Sequence, residues 1–261
     1  MDLPIYWVDA FTDRAFGGNP AAVIPLESWP DDGLLQRIAN ENGLSETAYF
    51  VRTGTARADL RWFTPAVEVD LCGHATLATA HVLFKELGQR ESRIVFDTKS
   101  GPLSVSMRGP LIELDFPARP ARPAEPTEDL LRGLRQRPDE VLRSERMWLC
   151  VYRTTGEVTG LAPDHAALAP TVPGRIIVTA PGIDCDFVSR FFAPDAGVTE
   201  DPVTGSAHCT LVPYWAARLG KTALHARQVS RRAGELWCEL DSARVRMAGH
   251  AVLYLRGRIA V

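Results

Sequence analysis

Glu46, His74 and Asp201 are side chains of the types that can take up and return a proton, and Glu46 has the most telling context. Glu46 lies in Leu44-Ser45-Glu46-Thr47-Ala48-Tyr49-Phe50-Val51, a strand-like segment that puts the carboxyl on one face with Ala48 and Phe50. Burial there would disfavour the charged form and raise the pKa, making the glutamate a usable proton donor at neutral pH. The plain alternative is a strand-end glutamate pointing to water. His74 follows Asp70, Cys72 and Gly73 at the start of an apolar helix, where it either serves the chemistry or is hydrogen-bonded for structure. Asp201 opens Asp-Pro-Val-Thr-Gly-Ser-Ala-His at 201–208, and Asn19 sits in a Gly-Asn-Pro turn as a candidate substrate contact.

The element that must carry His74 is a helix expected from about Gly73 to Leu87. Ala75, Leu77, Ala78, Ala80, Val82, Leu83 and Phe84 surround nearly its whole circumference, the pattern of a helix enclosed on most sides. Its first turn presents unpaired N–H groups and the positive end of the helix dipole, so Gly73 opens an anion site. The arrangement recurs. Gly73 falls on Gly205 and His74 on Ser206 at a shift of 132, with Leu87-Gly88 on Leu219-Gly220. Phe63-Thr64-Pro65 recurs as Phe192-Ala193-Pro194, and Gly101-Pro102-Leu103 as Gly234-Glu235-Leu236. A period of half the chain points to a duplicated domain, not a solenoid, and two like halves imply a shared cleft.

Between the landmarks, strands are expected at Ile5–Phe11 and Ala22–Ile24, joined as an antiparallel pair by a glycine-rich turn. A helix opens at Pro30-Asp31-Asp32 and stops at Gly43. Strands at 94–97, 103–107 and 111–116 are separated by hairpin-type breaks, which describes an antiparallel sheet wrapped on a helix, an α+β and not a doubly wound fold. The segment Pro117 to Pro126, rich in proline and arginine, marks a boundary between an N-terminal domain, 1–118, and a C-terminal one, 119–250. The last segment, 251–261, is a candidate to rejoin the first. The second half repeats the plan with strands near 147–152, 175–179, 229–231, 236–240 and 245–247, and with a buried helix from about Gly205 to Leu219.

At 261 residues the chain is long enough for two such domains. A net charge of −3 gives no field for nucleic acid, and Arg119, Arg122, Arg132 and Arg135 alternate with acids, as on a solvated face. No apolar run reaches the ~20 residues of a membrane span, and the opening MDLPIYWVDAF is no secretory leader, so a cytoplasmic protein is expected. Five cysteines without C-x-x-C spacing argue against a disulfide framework and a thiolate zinc site.

Gly-Asn-Pro at 18–20, Ser-Glu-Thr at 45–47, Asp-Leu-Cys-Gly-His-Ala-Thr at 70–76 and the stretch 201–208 together, in this order, resemble the PhzF-like family, named for the phenazine-biosynthesis isomerase and related to diaminopimelate epimerase. The resemblance covers essentially the whole chain. It implies a duplicated fold, each half a barrel-like antiparallel sheet around a central helix, with no cofactor or metal and with a homodimer as partner state. It also implies that Glu46 moves a proton within a small carboxylate such as a cyclic hydroxy-amino acid, that His74 and Asp201 assist, and that Gly73, Gly205 and Ser206 hold the substrate carboxylate. Asp201 near Glu46 would keep a proton in the site by like-charge repulsion.

Two alternatives stay open. The related epimerases use a cysteine at each pseudo-symmetric helix start; here Cys72 keeps the first position and Thr204 fills the second, which disfavours a two-thiol racemase but leaves a Cys72–Glu46 epimerase. Cys72 as plain packing is the bland reading. The other alternative is a non-catalytic small-molecule binding or interaction module that retains the fold without turnover.

Overall fold

The apolar alternation of the first fifty residues builds one layered unit. In the computed structural model, which describes residues 1–261, β1 (Asp2–Ala10) runs antiparallel to β2 (Asn19–Leu26). Helix α1 (Asp32–Asn42) is capped by the Asp31 carboxylate on Gly33 N–H and stopped by Gly43 in the left-handed conformation. It leads to β3 (Glu46–Gly54), β4 (Arg57–Phe63) and the short β5 (Glu68–Val69). Helix α2 (Gly73–His81) continues into a π-helical turn, Val82–Glu86, and is followed by β6 (Arg93–Thr98), β7 (Gly101–Arg108) and β8 (Leu111–Pro117).

The second compact unit, Pro117–Arg246, repeats this order. Its elements are β9 (Arg122–Pro123), α3 (Glu128–Leu134), β10 (Glu140–Arg143), β11 (Trp148–Val151), α4 (Thr155–Gly160) and α5 (His165–Leu168). There follow β12 (Ile176–Pro181), β13 (Phe187–Ala193), β14 (Val198–Asp201), α6 (Gly205–Leu219), β15 (Ala223–Gln228) and β16 (Gly234–Asp241). Strand β17 (Arg244–Gly249) ends this unit and begins the return to the first, which comprises Met1–Phe116 and Met247–Val261. There β18 (Ala251–Ala260) pairs antiparallel with β1.

The duplication is visible in the pairing of each unit taken by itself. β2–β3 and β4–β6 are parallel in the first, with β3–β4 and β6–β7 antiparallel. In the second, β11–β12 and β13–β15 are parallel, with β12–β13 and β15–β16 antiparallel. Within the antiparallel plan expected from the sequence, each unit thus also carries two parallel pairs. In the first unit each parallel pair flanks a helix, α1 or α2, long enough to return the chain and lay the next strand in the same direction. A strand expected at 229–231 is corrected: the strand is β15, which ends at Gln228. Its inward residues, Leu224, Ala226 and Gln228, are mostly small or polar, so the alternation carried little apolar signal.

Helix α2 has all nine residues buried, and it packs on β1, β2 and β3. On the other face of those strands lies α1, where Leu35, Ile38 and Ala39 join Ile5, Ala22, Ile24 and Tyr49 in one cluster. Since strand side chains alternate, Asn19, Ala21 and Val23 of β2 and Glu46, Ala48 and Phe50 of β3 turn toward α2. The period-2 rule thus delivers Asn19 and Glu46 to the face on which His74 arrives.

Candidate active site

Glu46 and His74 meet where strand β3 begins and helix α2 begins. Glu46 Oε2 lies 3.1 Å from His74 Nε2, and neither atom has another hydrogen-bond partner. The other ring nitrogen, Nδ1, lies 3.1 Å from Asn19 Nδ2 and 3.6 Å from Cys72 Sγ. Three groups therefore converge on one imidazole, which is only 4 % exposed.

The turn before Asn19 is built to present it. Gly18 has φ +58°, and a Cβ there would lie 2.1 Å from the Ala10 carbonyl oxygen, so only glycine fits. The buried Asp9 carboxylate accepts from Phe16 N–H at 2.8 Å, and Arg14 N–H donates to the Thr12 hydroxyl at 3.3 Å. Asn19 itself has 0 % exposure, and its side-chain amide reaches the histidine.

Charge in this site follows from burial opposed by neighbours. Burial works against protonation of His74, but the negative charges of Cys72, when ionised, and of Glu46 outweigh it and hold the ring's pKa well above the ordinary histidine value. Burial pushes the Cys72 thiol up to about 11, helped by Glu46 and opposed by His74. Around neutral pH the thiol is thus protonated, and the Glu46 carboxyl is the group that faces the ring's Nε2. In the neutral ring, Nδ1 accepts from the Asn19 amide and the proton sits on Nε2, facing Glu46. Glu46, Cys72 and His74 also place ligand-type atoms within 4.8 Å of one another, a set open to a soft metal in principle. The thiol must lose its raised-pKa proton before it can ligate, whereas the Glu46–His74 separation is already that of a proton-holding pair.

At both central helix starts the backbone amides have no side-chain cap. Cys72 and Thr204 are the N-cap residues of α2 and α6, and neither caps its helix. Gly73, Gly205 and Ser206 stand in those first turns, with N–H groups suited to an anion. In the second unit, Asp201 ends β14, and its Oδ2 accepts from Thr204 Oγ1 at 2.5 Å. Sequence reasoning missed Gln228, whose fully buried side chain accepts from Thr204 N–H at 2.8 Å and donates to the Asp201 carbonyl at 2.7 Å. A glutamine at a strand end has no local pattern that announces such a role.

The two halves also share ion pairs and hydroxyl bonds that the sequence did not reveal. Arg61 grips Glu68 through two bonds, 2.7 and 2.9 Å, and Arg190 grips Glu200 through two, 2.7 and 3.0 Å. Ser100 Oγ donates to the Asp70 carbonyl at 2.7 Å, and Ser230 Oγ to the Pro202 carbonyl at 2.8 Å. Both sets tie down the segment that leads into the central helix.

Known proteins share this construction. The model of a family described as phenazine biosynthesis-like protein matches residues 8–257. An uncharacterized isomerase of Pseudomonas aeruginosa is 51 % identical over 99 % of each chain. A solved phenazine biosynthesis protein of the PhzF family from Enterococcus faecalis superposes with a TM-score of 0.96 at 44 % identity, covering 100 % of both chains. A hydroxyproline epimerase from Agrobacterium vitis shares the fold at a TM-score of 0.63 and 9 % identity, covering 100 % of this chain and 93 % of that one. With a family model that matches residues 8–257 and relatives matched from end to end, the chain belongs to the PhzF-like family of isomerase-type enzymes.

Proposed function

We propose that this protein is a cofactor-independent isomerase that shifts a proton within a small carboxylate, an amino acid or cyclic hydroxy-amino acid, with Glu46 as the shuttling acid–base. The observation that carries the reading is the 3.1 Å approach of Glu46 Oε2 to His74 Nε2, with no second partner for either atom. A proton taken from carbon by the carboxylate can be held between the two groups and returned to another carbon of the same molecule. His74 then stabilises the carboxylate form through its own charge. The amides of Gly73, Gly205 and Ser206 are assigned to the substrate carboxylate and Asp201 to assistance in proton handling, as the family resemblance implies.

An epimerase through Cys72 and Glu46 is the second reading, favoured only by the nearness of Cys72 Sγ to His74 Nδ1. Its thiol, pushed up to about 11, is a poor base at neutral pH, and the partner position is Thr204. Incubating a panel of small amino acids and cyclic hydroxy-amino acids in deuterated water separates the readings. The isomerase places deuterium at a carbon other than the one deprotonated, whereas the epimerase labels the alpha carbon with inversion. Glu46→Gln is expected to lower turnover at least about a hundredfold, the usual contribution of a positioned acid–base. Undiminished turnover in that variant overturns the assignment, and ligand affinity without turnover in any form of the protein supports a binding module instead.

A further inference from the structure

The internal duplication offers a comparison within one chain, since the strands and the central helix of the first unit recur in the second. The ladder registers align Ala58–Phe96 with Phe187–Ala226, which makes Thr98 the equivalent of Gln228. The helix starts align Val69 with Asp201, Cys72 with Thr204 and His74 with Ser206. Residues that agree between the halves, such as Arg61 and Arg190, Glu68 and Glu200, or Ser100 and Ser230, hold the segment before the central helix in both. Residues that differ mark what one half does and the other does not.

Asp201, Thr204 and Gln228 differ together, and they are hydrogen-bonded to one another. Gln228, with no exposed surface, uses both ends of its amide: Oε1 accepts from Thr204 N–H at 2.8 Å, and Nε2 donates to the Asp201 carbonyl at 2.7 Å and to Thr204 Oγ1 at 3.1 Å. Because Thr204 Oγ1 accepts from Gln228, its single proton is directed to Asp201 Oδ2 at 2.5 Å. In the first unit Thr98 spends its hydroxyl on the Gly101 carbonyl at 2.7 Å, so no such chain exists there.

We infer that Gln228 is a positioning residue for Asp201, acting through Thr204 to aim a hydroxyl proton at the Asp201 carboxylate and to hold that carboxylate at the start of α6. The inference rests on the proposed isomerase reading for its catalytic meaning, while the hydrogen-bond chain itself does not. A glutamine is suited to the task because its amide donates on one side and accepts on the other without adding charge. Glutamate at 228 would reverse the donor facing Thr204, whose hydroxyl would then turn away from Asp201.

The test needs no substrate in its first arm. The titration of the Asp201 side-chain carboxyl is followed by 13C NMR in the full-length protein and in Gln228→Glu, Gln228→Leu and Thr204→Val. Glu200, the neighbour of Asp201 on β14, is held by Arg190 in every variant and serves as an internal reference. Loss of a donor to the charged form moves the Asp201 midpoint upward, so each variant is expected to raise it relative to wild type. The double variant Thr204→Val/Gln228→Leu is expected to go no further than Thr204→Val alone, since the two act in series. A shift in Thr204→Val with none in Gln228→Leu overturns the inference and leaves Gln228 a packing residue, since the added carboxylate of Gln228→Glu raises the midpoint by repulsion alone. In the second arm, with a substrate found by the deuterium screen, Gln228→Glu lowers kcat with KM nearly unchanged. Full activity of Asp201→Asn would sink the catalytic role of Asp201 and not the chain, which the NMR arm decides alone.

Discussion

The charge state of His74 depends on two neighbours. Burial disfavours the ring's proton, and Cys72, when ionised, and Glu46 together outweigh burial and raise the ring's pKa. A histidine whose folded pKa lies above its unfolded value of about 6.5 adds stability that is fully present below that pH and is lost as pH rises through the folded pKa. The unfolding free energy lost in His74→Gln should therefore be largest near pH 6 and shrink toward pH 10, as read from urea melts across that range. His81 and His208, lowered by burial to about 4, contribute with the opposite sign, but they titrate in both proteins and cancel in the difference. Introducing Glu46→Gln into both proteins should flatten the profile. A His74→Gln penalty that does not vary with pH would mean that the ring is neutral in the fold.

At the scale of the element, the β1–β2 turn and the start of α2 do the positioning. Gly18 and Gly43 have almost the same positive φ, +58° and +61°, yet a Cβ at Gly43 meets nothing within 4 Å. Alanine at 43 should cost only the left-handed penalty, about 1 kcal/mol. Alanine at 18 must add displacement of the Ala10 carbonyl, and we expect a loss of at least about 3 kcal/mol in chemical denaturation. Equal costs at the two positions would show that the turn can open freely. The contrast also explains what could be read from sequence. The enclosed helix from Gly73 was legible because apolar residues on all sides leave one interpretation, and Glu46 was legible because an acid broke an alternation. Asn19 could be found but not assigned, for a turn asparagine looks alike whether it serves solvent, substrate or a histidine 55 positions away. Gln228 and the parallel strand pairs were illegible, since each depends on which distant segment arrives alongside.

For the molecule as a whole, duplication separates scaffold from chemistry, and the scaffold is not equally robust in its two copies. Arg61 binds Glu68 and Asp32, and Lys99 also binds Glu68, so that carboxylate keeps a cation if the arginine is removed. Arg190 binds Glu200 and also donates to the carbonyls of Val158 and Leu161, at 3.1 and 2.7 Å. Its loss strips a half-buried carboxylate and two backbone acceptors at once, and a group left buried without its partner costs more than the bond was worth. Methionine replaces the aliphatic stem of either arginine, which isolates the polar loss. We therefore expect Arg190→Met to destabilise by about 3 kcal/mol and Arg61→Met by about 1 kcal/mol; both pairs are similarly shielded from solvent, and the smaller cost follows from Lys99 remaining beside Glu68. Two-state fits to guanidinium melts of the full chain would measure both. Equal costs would mean that the second clamp loses no more than the first, and the symmetry of the two halves would then extend to energetics as well as to topology.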